Sequence, residues 1–332
     1  MLCGRVALSD TLTGMDVLTD LLAAASVRGV VGAHIEAGAD WGWWSAQSHG
    51  AAFHAVTTGT MWLHVEGDAP RELLAGDVVL LPRGTPHVLG SDPAALRRTG
   101  PDRFDAADLG DYDGGGGGVV RIGRPPERTH VLCAHYLHDT SVATPVLPAL
   151  PDVVHVRAED GGAGLADTVA LLGRELAEPR LATSMVLDHL VDILLVQLLR
   201  AWVAIAPSGG LPGSLGALRD PVVGAALARL HDAPAEPWTA ESLARAVAVS
   251  RATLARRFAA AVGEAPMAYL TRWRMDVAAR RLRDTDEPLA SVAAAVGYTS
   301  VYAFNRAFAR ARGVPPGRYR TAARAPAAVA AA

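Results

Sequence analysis

Two stretches near the C-terminal end of this 332-residue chain repeat one pattern, and the repeat restricts what the chain can fold into. In residues 243–258 a short apolar helix with Leu243, Ala244 and Val247 is followed by a turn near Ala248 and Val249. Ser250 then stands at a helix N-cap position, and a second helix follows whose Leu254 and Phe258 lie four apart. In residues 292–308 the pattern recurs: Ala244 corresponds to Ala293, Val247 to Val296, Ser250 to Ser300, Leu254 to Phe304, Arg256 to Arg306 and Phe258 to Phe308, with one extra residue in the second turn around Thr299. Each stretch reads as a helix-turn-helix. One such match is a weak signal, because any amphipathic helix pair with a tight turn resembles it; two in tandem are far more specific. Between them, residues 267–283 read as one helix after Pro266, with Leu270, Met275, Ala278 and Leu282 roughly on one side, which would hold the two units at a fixed separation.

With Leu254 and Phe258 facing a core, the opposite face of the first unit's second helix presents Arg251, Ala252, Ala255 and Arg256. A small-residue surface flanked by guanidinium groups fits the DNA major groove. The run from Val296 to Phe308 (Val-Gly-Tyr-Thr-Ser-Val-Tyr-Ala-Phe-Asn-Arg-Ala-Phe), the order of elements, and the closing Gly-Val-Pro-Pro-Gly-Arg-Tyr-Arg that ends at Arg320 resemble the AraC/XylS family of transcription regulators, over residues 220–324. The resemblance implies that each second helix enters one of two successive major-groove segments. The DNA-binding positions would be Ser250, Arg251, Ala252, Ala255 and Arg256 in the first unit and Ser300, Val301, Tyr302, Asn305, Arg306 and Arg310 in the second. The competing reading is that Arg256 and Arg306 make only phosphate contacts or intramolecular ion pairs.

Charge supports a division of labour. Every one of the 31 basic residues is arginine, and the net charge of −3 hides an asymmetry. From residue 217 onward there are 17 arginines against 9 acidic residues; residues 1–216 hold 14 against 25. This implies a basic module that meets phosphates by counterion release, joined to an acidic one that does not touch DNA; an acidic domain docked on a basic one would give the same split. Cys3 and Cys133 are too few for a disulfide scaffold, the N-terminus has no signal-type segment, and the apolar stretch 185–205 is interrupted by Asp188, His189, Asp192, Gln197 and Arg200. The expectation is a cytoplasmic protein without a membrane span.

The acidic part begins with an amphipathic helix expected over residues 15–24. Short strands separated by turn residues follow, at 29–35, 52–57, 61–65, 77–81, 130–137 and 153–156, a spacing that points to a small β-barrel or sandwich. Within it, Gly76-Asp-Val-Val-Leu-Leu-Pro-Arg-Gly-Thr-Pro-His87 resembles the second motif of the cupin family, with Gly76 opening a buried strand, Pro82 and Gly84 making the next turn, and His87 turned into the barrel. The first cupin motif is not reproduced: Ala52 stands where its Glu is expected, and His49 and His54 are approximate substitutes for its histidines. His54, Trp62, His87, Cys133 and His135 are the effector-pocket candidates, with Trp41, Trp43 and Trp44 as further wall residues. His54, His87 and His135 could hold a divalent metal, with Cys133 beside them. A metal-free pocket is the alternative, so no cofactor is required. Cys133 could sense oxidants, or serve as a small buried hydrophobe.

Gly114 to Gly118 lacks the strand, helix and Lys-Ser/Thr context of a phosphate cradle and is expected as a flexible loop. Residues 165–176 and 182–205 read as two helices, the second with a wide apolar face that packs on the barrel or on a second copy of the chain. The fold expected is multidomain α+β: a cupin-like β-barrel sensor (15–158), a helical connector with a role in dimerisation (159–206), a linker (207–219) and an all-α DNA-binding domain (220–324) with helix-turn-helix motifs at 239–260 and 288–311. The function expected is a sequence-specific transcription regulator, not an enzyme. A small molecule or oxidant at the barrel would alter promoter occupancy or contact with RNA polymerase. The rivals are a metal-dependent cupin enzyme carrying a DNA-binding domain and a constitutive DNA binder whose barrel only dimerises.

Overall fold

The structure is a computed structural model that describes residues 13–48, 50–100, 118–139, 146–206 and 213–324. His49, residues 114–117 of the glycine run and residues 207–212 of the expected linker lie outside the described residues, as does Cys3; the rest of that linker is not extended, since Gly213–Ala217 form a helix with Leu215 and Ala217 buried. The chain divides into two compact units: Val27–His138 with Leu147–Gly210, and Met1–Ser26 with Asp139–Val146 and Leu211–Ala332.

The first unit is built on ten strands: β1 (Arg28–Ala39), β2 (Gly42–Ser45), β3 (Ala51–Thr58), β4 (Thr60–Val65), β5 (Arg71–Leu74), β6 (Val78–Leu81), β7 (His87–Gly90), β8 (Gly118–Ile122), β9 (Arg124–Leu137) and β10 (Val154–Val156). They form a six-stranded sheet in the order β10-β6-β3-β9-β1-β8 and a four-stranded sheet in the order β2-β7-β4-β5. Alternation along each strand decides which side chains meet between the sheets. Ile35, Ala52, Val56, Val79, Leu81 and Val131 of the larger sheet pack there with Met61, Leu63, Val65, Leu73 and Leu89 of the smaller. The expected strands are all present. The short β2, β5, β7 and β8 were not foreseen, because four or five residues that lie at a sheet edge or run into turns carry too little periodicity to stand out.

The turn into β7 follows the cupin-like motif. Gly84 has φ 59°, and a Cβ there would meet the Ser48 hydroxyl and the Gly50 carbonyl at 2.3 and 2.4 Å, so only glycine fits. Three residues on, His87 is delivered buried to the interior.

The outer face of the larger sheet is covered by helices. In chain order the helices begin with α1 (Thr13–Ala24), α2 (Pro93–Arg98), α3 (Gly162–Ala177) and α4 (Thr183–Ile205); α3 and α4 pack on each other and on the larger sheet, whereas α2 packs on the smaller one. Leu187, Leu190, Val191, Leu194, Leu195, Leu198 and Leu199 of α4 are buried, and Tyr136 of β9 donates its hydroxyl hydrogen to the Val191 carbonyl (2.6 Å). Most of the apolar face of α4 is thus used within its own unit, whereas Met185, Val186 and Ile193 stay exposed.

The second unit is all-helical: α5 (Gly213–Ala217), α6 (Pro221–Asp232), α7 (Ala240–Ala246), α8 (Arg251–Val262), α9 (Pro266–Asp284), α10 (Leu289–Ala295), α11 (Val301–Arg312) and α12 (Pro316–Arg324). One expectation is corrected here. The helix at residues 15–24 was assigned to the barrel domain, but α1 belongs to the helical unit and packs on α6 and α9. Its Val17, Leu18 and Leu21 are buried, and Asp20 accepts a hydrogen bond from His231 of α6 at 3.2 Å. His231 also stacks on Trp273 (centroids 3.9 Å apart) and bonds the Tyr269 hydroxyl at 2.7 Å, both on α9. An amphipathic helix advertises that it needs a partner surface, not which one.

A candidate DNA interface and a buried histidine cluster

Each helix-turn-helix is fixed by the same local devices. In the first, Thr239 and Ser242 form a capping box on α7, Ser250 caps α8 by accepting from the Thr253 amide (3.1 Å), and Gly263 ends α8 at φ 88°. In the second, Ser300 caps α11 and Gly313 ends it at φ 73°. The turns share a left-handed residue at one register position, Ala248 (φ 55°) and Gly297 (φ 78°). Gly297 lies against Arg274 of α9, which bonds the Pro234 and Glu236 carbonyls (2.7 and 2.8 Å) ahead of α7. Through that one guanidinium, α9 ties the turn of the second motif to the entry of the first.

Leu254 and Phe258 of α8 and Phe304 and Phe308 of α11 are buried, which turns the opposite faces outward. Arg251, Ala252, Ala255 and Arg256 are exposed on α8, and Val301, Tyr302, Arg306 and Arg310 on α11. Asn305 is half-buried at the edge of that face, and its Oδ1 has no partner among the described residues. The Arg306 guanidinium lies over the Tyr302 ring, 5.9 Å from its centroid.

Ion pairing sorts the arginines. Arg257 makes two bonds to Asp220 (2.9 and 2.8 Å), Arg281 pairs with Glu287 and Arg283 with Asp284, while Arg272 binds Glu264, Arg312 binds Asp276 and Arg324 binds Asp286. Among the described residues, Arg251, Arg256, Arg306 and Arg310 take part in none of these pairs. The alternative that Arg256 and Arg306 are consumed by intramolecular pairing therefore finds no support; its phosphate-contact form is untouched.

The barrel interior brings together the residues expected there, with one exception. His54 Nδ1 lies 3.1 Å from Cys133 Sγ, His54 Nε2 lies 2.8 Å from His87 Nε2, and His87 Nδ1 lies 2.8 Å from the Thr85 carbonyl oxygen. A carbonyl only accepts, so His87 carries its hydrogen on Nδ1 and accepts at Nε2. His54 then donates from Nε2 and accepts at Nδ1 from the Cys133 thiol. The tautomers follow from that one carbonyl. Burial, with the nearby His87 and His135, holds His54 well below the ordinary histidine value; burial lowers His87 too, and His135 likewise. Burial also pushes the Cys133 thiol up to about 12, so it is protonated as the relay requires.

Trp62 is the exception. It alternates with Met61 and Leu63, both buried between the sheets, and so lies on the outer face of β4; Trp41 and Trp43 line the core instead. The donors also do not form a ready three-ligand set for one ion, because His54 turns one nitrogen to Cys133 and the other to His87.

Residues 16–204 match the Cupin family and residues 243–322 the Helix-turn-helix domain family. The chain is 38% identical to an AraC-like transcription regulator of Streptomyces lividans over 308 residues, which cover 92% of this chain and 98% of the relative. The chain belongs to the AraC-type transcription regulators. An AraC-like regulator of Streptomyces antibioticus is 37% identical over the same shares of both chains, and the HTH-type transcriptional regulator MtrA of Neisseria gonorrhoeae is 30% identical over 310 residues, again 92% of this chain and 98% of the relative. As an AraC-type protein it is a DNA-binding transcription regulator, with the cupin fold in its N-terminal part. The described helices include none long and apolar enough to cross a membrane.

Proposed function

We propose that α8 and α11 enter successive major-groove segments on one face of double-stranded promoter DNA. Arg251, Ala252, Ala255 and Arg256 then meet base edges from the first helix, and Val301, Tyr302, Asn305 and Arg306 from the second. Ser250, Ser300 and Arg310 bond the phosphate backbone. The observation that carries this reading is the division of the arginines: those facing outward on α8 and α11 stay outside the ion-pair network that engages their neighbours. To test it, sites are selected from random duplexes by the full chain, and affinity is measured for a selected and a scrambled duplex. Arg256→Ala and Arg306→Ala lose affinity mainly for the selected site, whereas Arg310→Ala loses it on both. Equal losses on both duplexes for all three would defeat the base-contact assignment.

The barrel is the input domain in this reading, and its effector is a small polar molecule recognised by His54, His87 and His135. Protonated Cys133 favours such a ligand over direct oxidation, since the thiolate is the reactive form. Coupling runs along β9: the strand carries Cys133 and His135, ends at Leu137, and leads to Asp139 of the helical unit, which accepts from the Tyr319 hydroxyl (3.2 Å) and lies 3.5 Å from Arg283. A ligand that shifts β9 would bias how α9 and α12 are held, and with them promoter occupancy or contact with RNA polymerase. A thermal-shift screen tests the input: a ligand raises the melting temperature of the native chain and not of His87→Ala. If mild oxidant alters DNA affinity and no ligand does, Cys133 is the sensor. This reading assigns no catalytic residue, puts the protein in the cytoplasm, and seats a second copy of the chain on Met185, Val186 and Ile193 of α4; sedimentation of Ile193→Glu as a monomer would bear out that seat.

A further inference from the structure

The larger sheet has a second cluster, on the face opposite the barrel interior. Ile35 and Ala37 of β1 and Val131 of β9 point into the core, so His34, Glu36 and His130 point the other way. Register brings them together: Glu36 pairs directly with His130 across β1 and β9, and His34 stands two residues from Glu36 on the same face. One ligand atom from each residue lies within 4.8 Å of the other two. His34 is 2% exposed, yet neither of its ring nitrogens has a hydrogen-bond partner among the described residues. A buried imidazole with both nitrogens unpartnered is costly and calls for an explanation. Glu36 is held by Arg121 of β8 (Nε to Oε2, 2.8 Å), which pairs with it in register and faces the same side of the sheet.

We propose that His34, Glu36 and His130 bind one divalent transition-metal ion, with zinc as the occupant. Two imidazoles and a carboxylate suit zinc and discriminate against magnesium and calcium, which prefer all-oxygen shells. Ligand atoms around a tetrahedral zinc ion stand about 3.3 Å apart, so the three side chains need only draw in modestly. Three protein ligands leave a fourth position for water. Arg121 acts as the partner that orients the carboxylate, the part such outer groups play around metals. The bound ion would cross-link β1 to β9. Sequence reading missed this set because His34 and Glu36 lie in a short His-x-Glu alternation, and the third ligand is nearly a hundred residues on.

The test uses the full chain, stripped of metal with a chelator, re-dialysed, and titrated with zinc against a competing dye, with circular dichroism to confirm folding of each variant. One zinc per chain is expected. His130→Ala and Glu36→Gln, both at partly exposed positions, should each weaken binding by more than about tenfold, since loss of an outer-shell partner alone costs about that much. His87→Ala, inside the barrel, should leave it unchanged. Cobalt in place of zinc should give a visible spectrum without a thiolate charge-transfer band. Absence of stoichiometric zinc would overturn the proposal, as would retention of zinc by both variants, loss of zinc in His87→Ala, or a thiolate band that moves the ion to Cys133.

Discussion

Arg256 and Arg257 are neighbours in sequence with opposite roles. Arg257 closes a structural pair with Asp220, the N-cap of α6, whose carboxyl also accepts from the Val222 and Val223 amides. Burial opposes the charge on Asp220, but those amides and the guanidinium outweigh it and hold the carboxyl below its usual range. Arg256 has no such partner among the described residues. We expect Arg256→Ala to leave the melting temperature within a degree or two and to cost about 1–3 kcal/mol at the cognate site. Arg257→Ala should instead lower stability by about 1 kcal/mol, the scale of a lost cap and a half-exposed pair. Denaturation and DNA titration of both variants check this, and a stability loss confined to Arg256→Ala would reverse the assignment. The outward set was legible in the sequence because helical spacing fixes which residues oppose Leu254 and Phe258. The pairing of Arg257 was not, since its partner lies 37 residues away in another helix. Ala248 was placed in a turn, but not in a left-handed conformation, which costs a non-glycine residue about 1–2 kcal/mol. Ala248→Gly should therefore stabilise the helical unit by about 1 kcal/mol, read as a higher urea midpoint at unchanged slope.

At the scale of elements, the relay across β9, β3 and β7 gives the barrel unit a pH dependence. The folded unit keeps His54 and His87 neutral, with folded values below the ordinary 6.5, while the unfolded chain takes up protons on both as pH falls through 6.5. Their neutral burial is therefore compatible with full stability above about pH 6.5, and stability declines below it. At pH 5.5 the unit should be less stable than at pH 7.5, by up to about 1.4 kcal/mol for each histidine that stays neutral throughout. Urea denaturation followed by the barrel signal at the two pH values measures the loss, and a His54→Gln, His87→Gln double variant should reduce it to the part contributed by His34 and His135, which burial also lowers. An unchanged midpoint in the native chain would mean the two are not held neutral. That these residues converge was legible from the Gly76 to His87 motif and from alternation along β9. The order of the relay was not, because ring orientation depends on the Thr85 carbonyl, which no spacing rule encodes. Trp62 failed for a similar reason: its aromatic character was read without its parity against Met61 and Leu63.

For the molecule as a whole, the departure from the expected domain plan is the first helix. The chain starts in the helical unit with α1, passes through the barrel unit, and returns to the helical unit by way of Asp139 and again from Leu211. Both strands that adjoin these crossings, β1 and β9, pair with each other, with Arg28 opposite Leu137. The Asp139 amide then bonds the Ala25 carbonyl (2.8 Å), so the two crossings are held side by side. Sequence reading divided the chain linearly because local patterns carry no record of a segment returning to a distant partner. The consequence is testable. Removing residues 1–26 strips Val17, Leu18 and Leu21 from the core with α6 and α9, and takes Asp20 from His231. Full burial of three such side chains is worth at most about 9 kcal/mol. Hydrogen exchange in α6 and α9 should therefore accelerate markedly in the truncated chain, and DNA affinity should fall because α9 supports both recognition helices. Exchange in β3, β4 and β7 should be unaffected. Faster exchange in those strands with α6 and α9 unchanged would return α1 to the barrel and restore the linear plan.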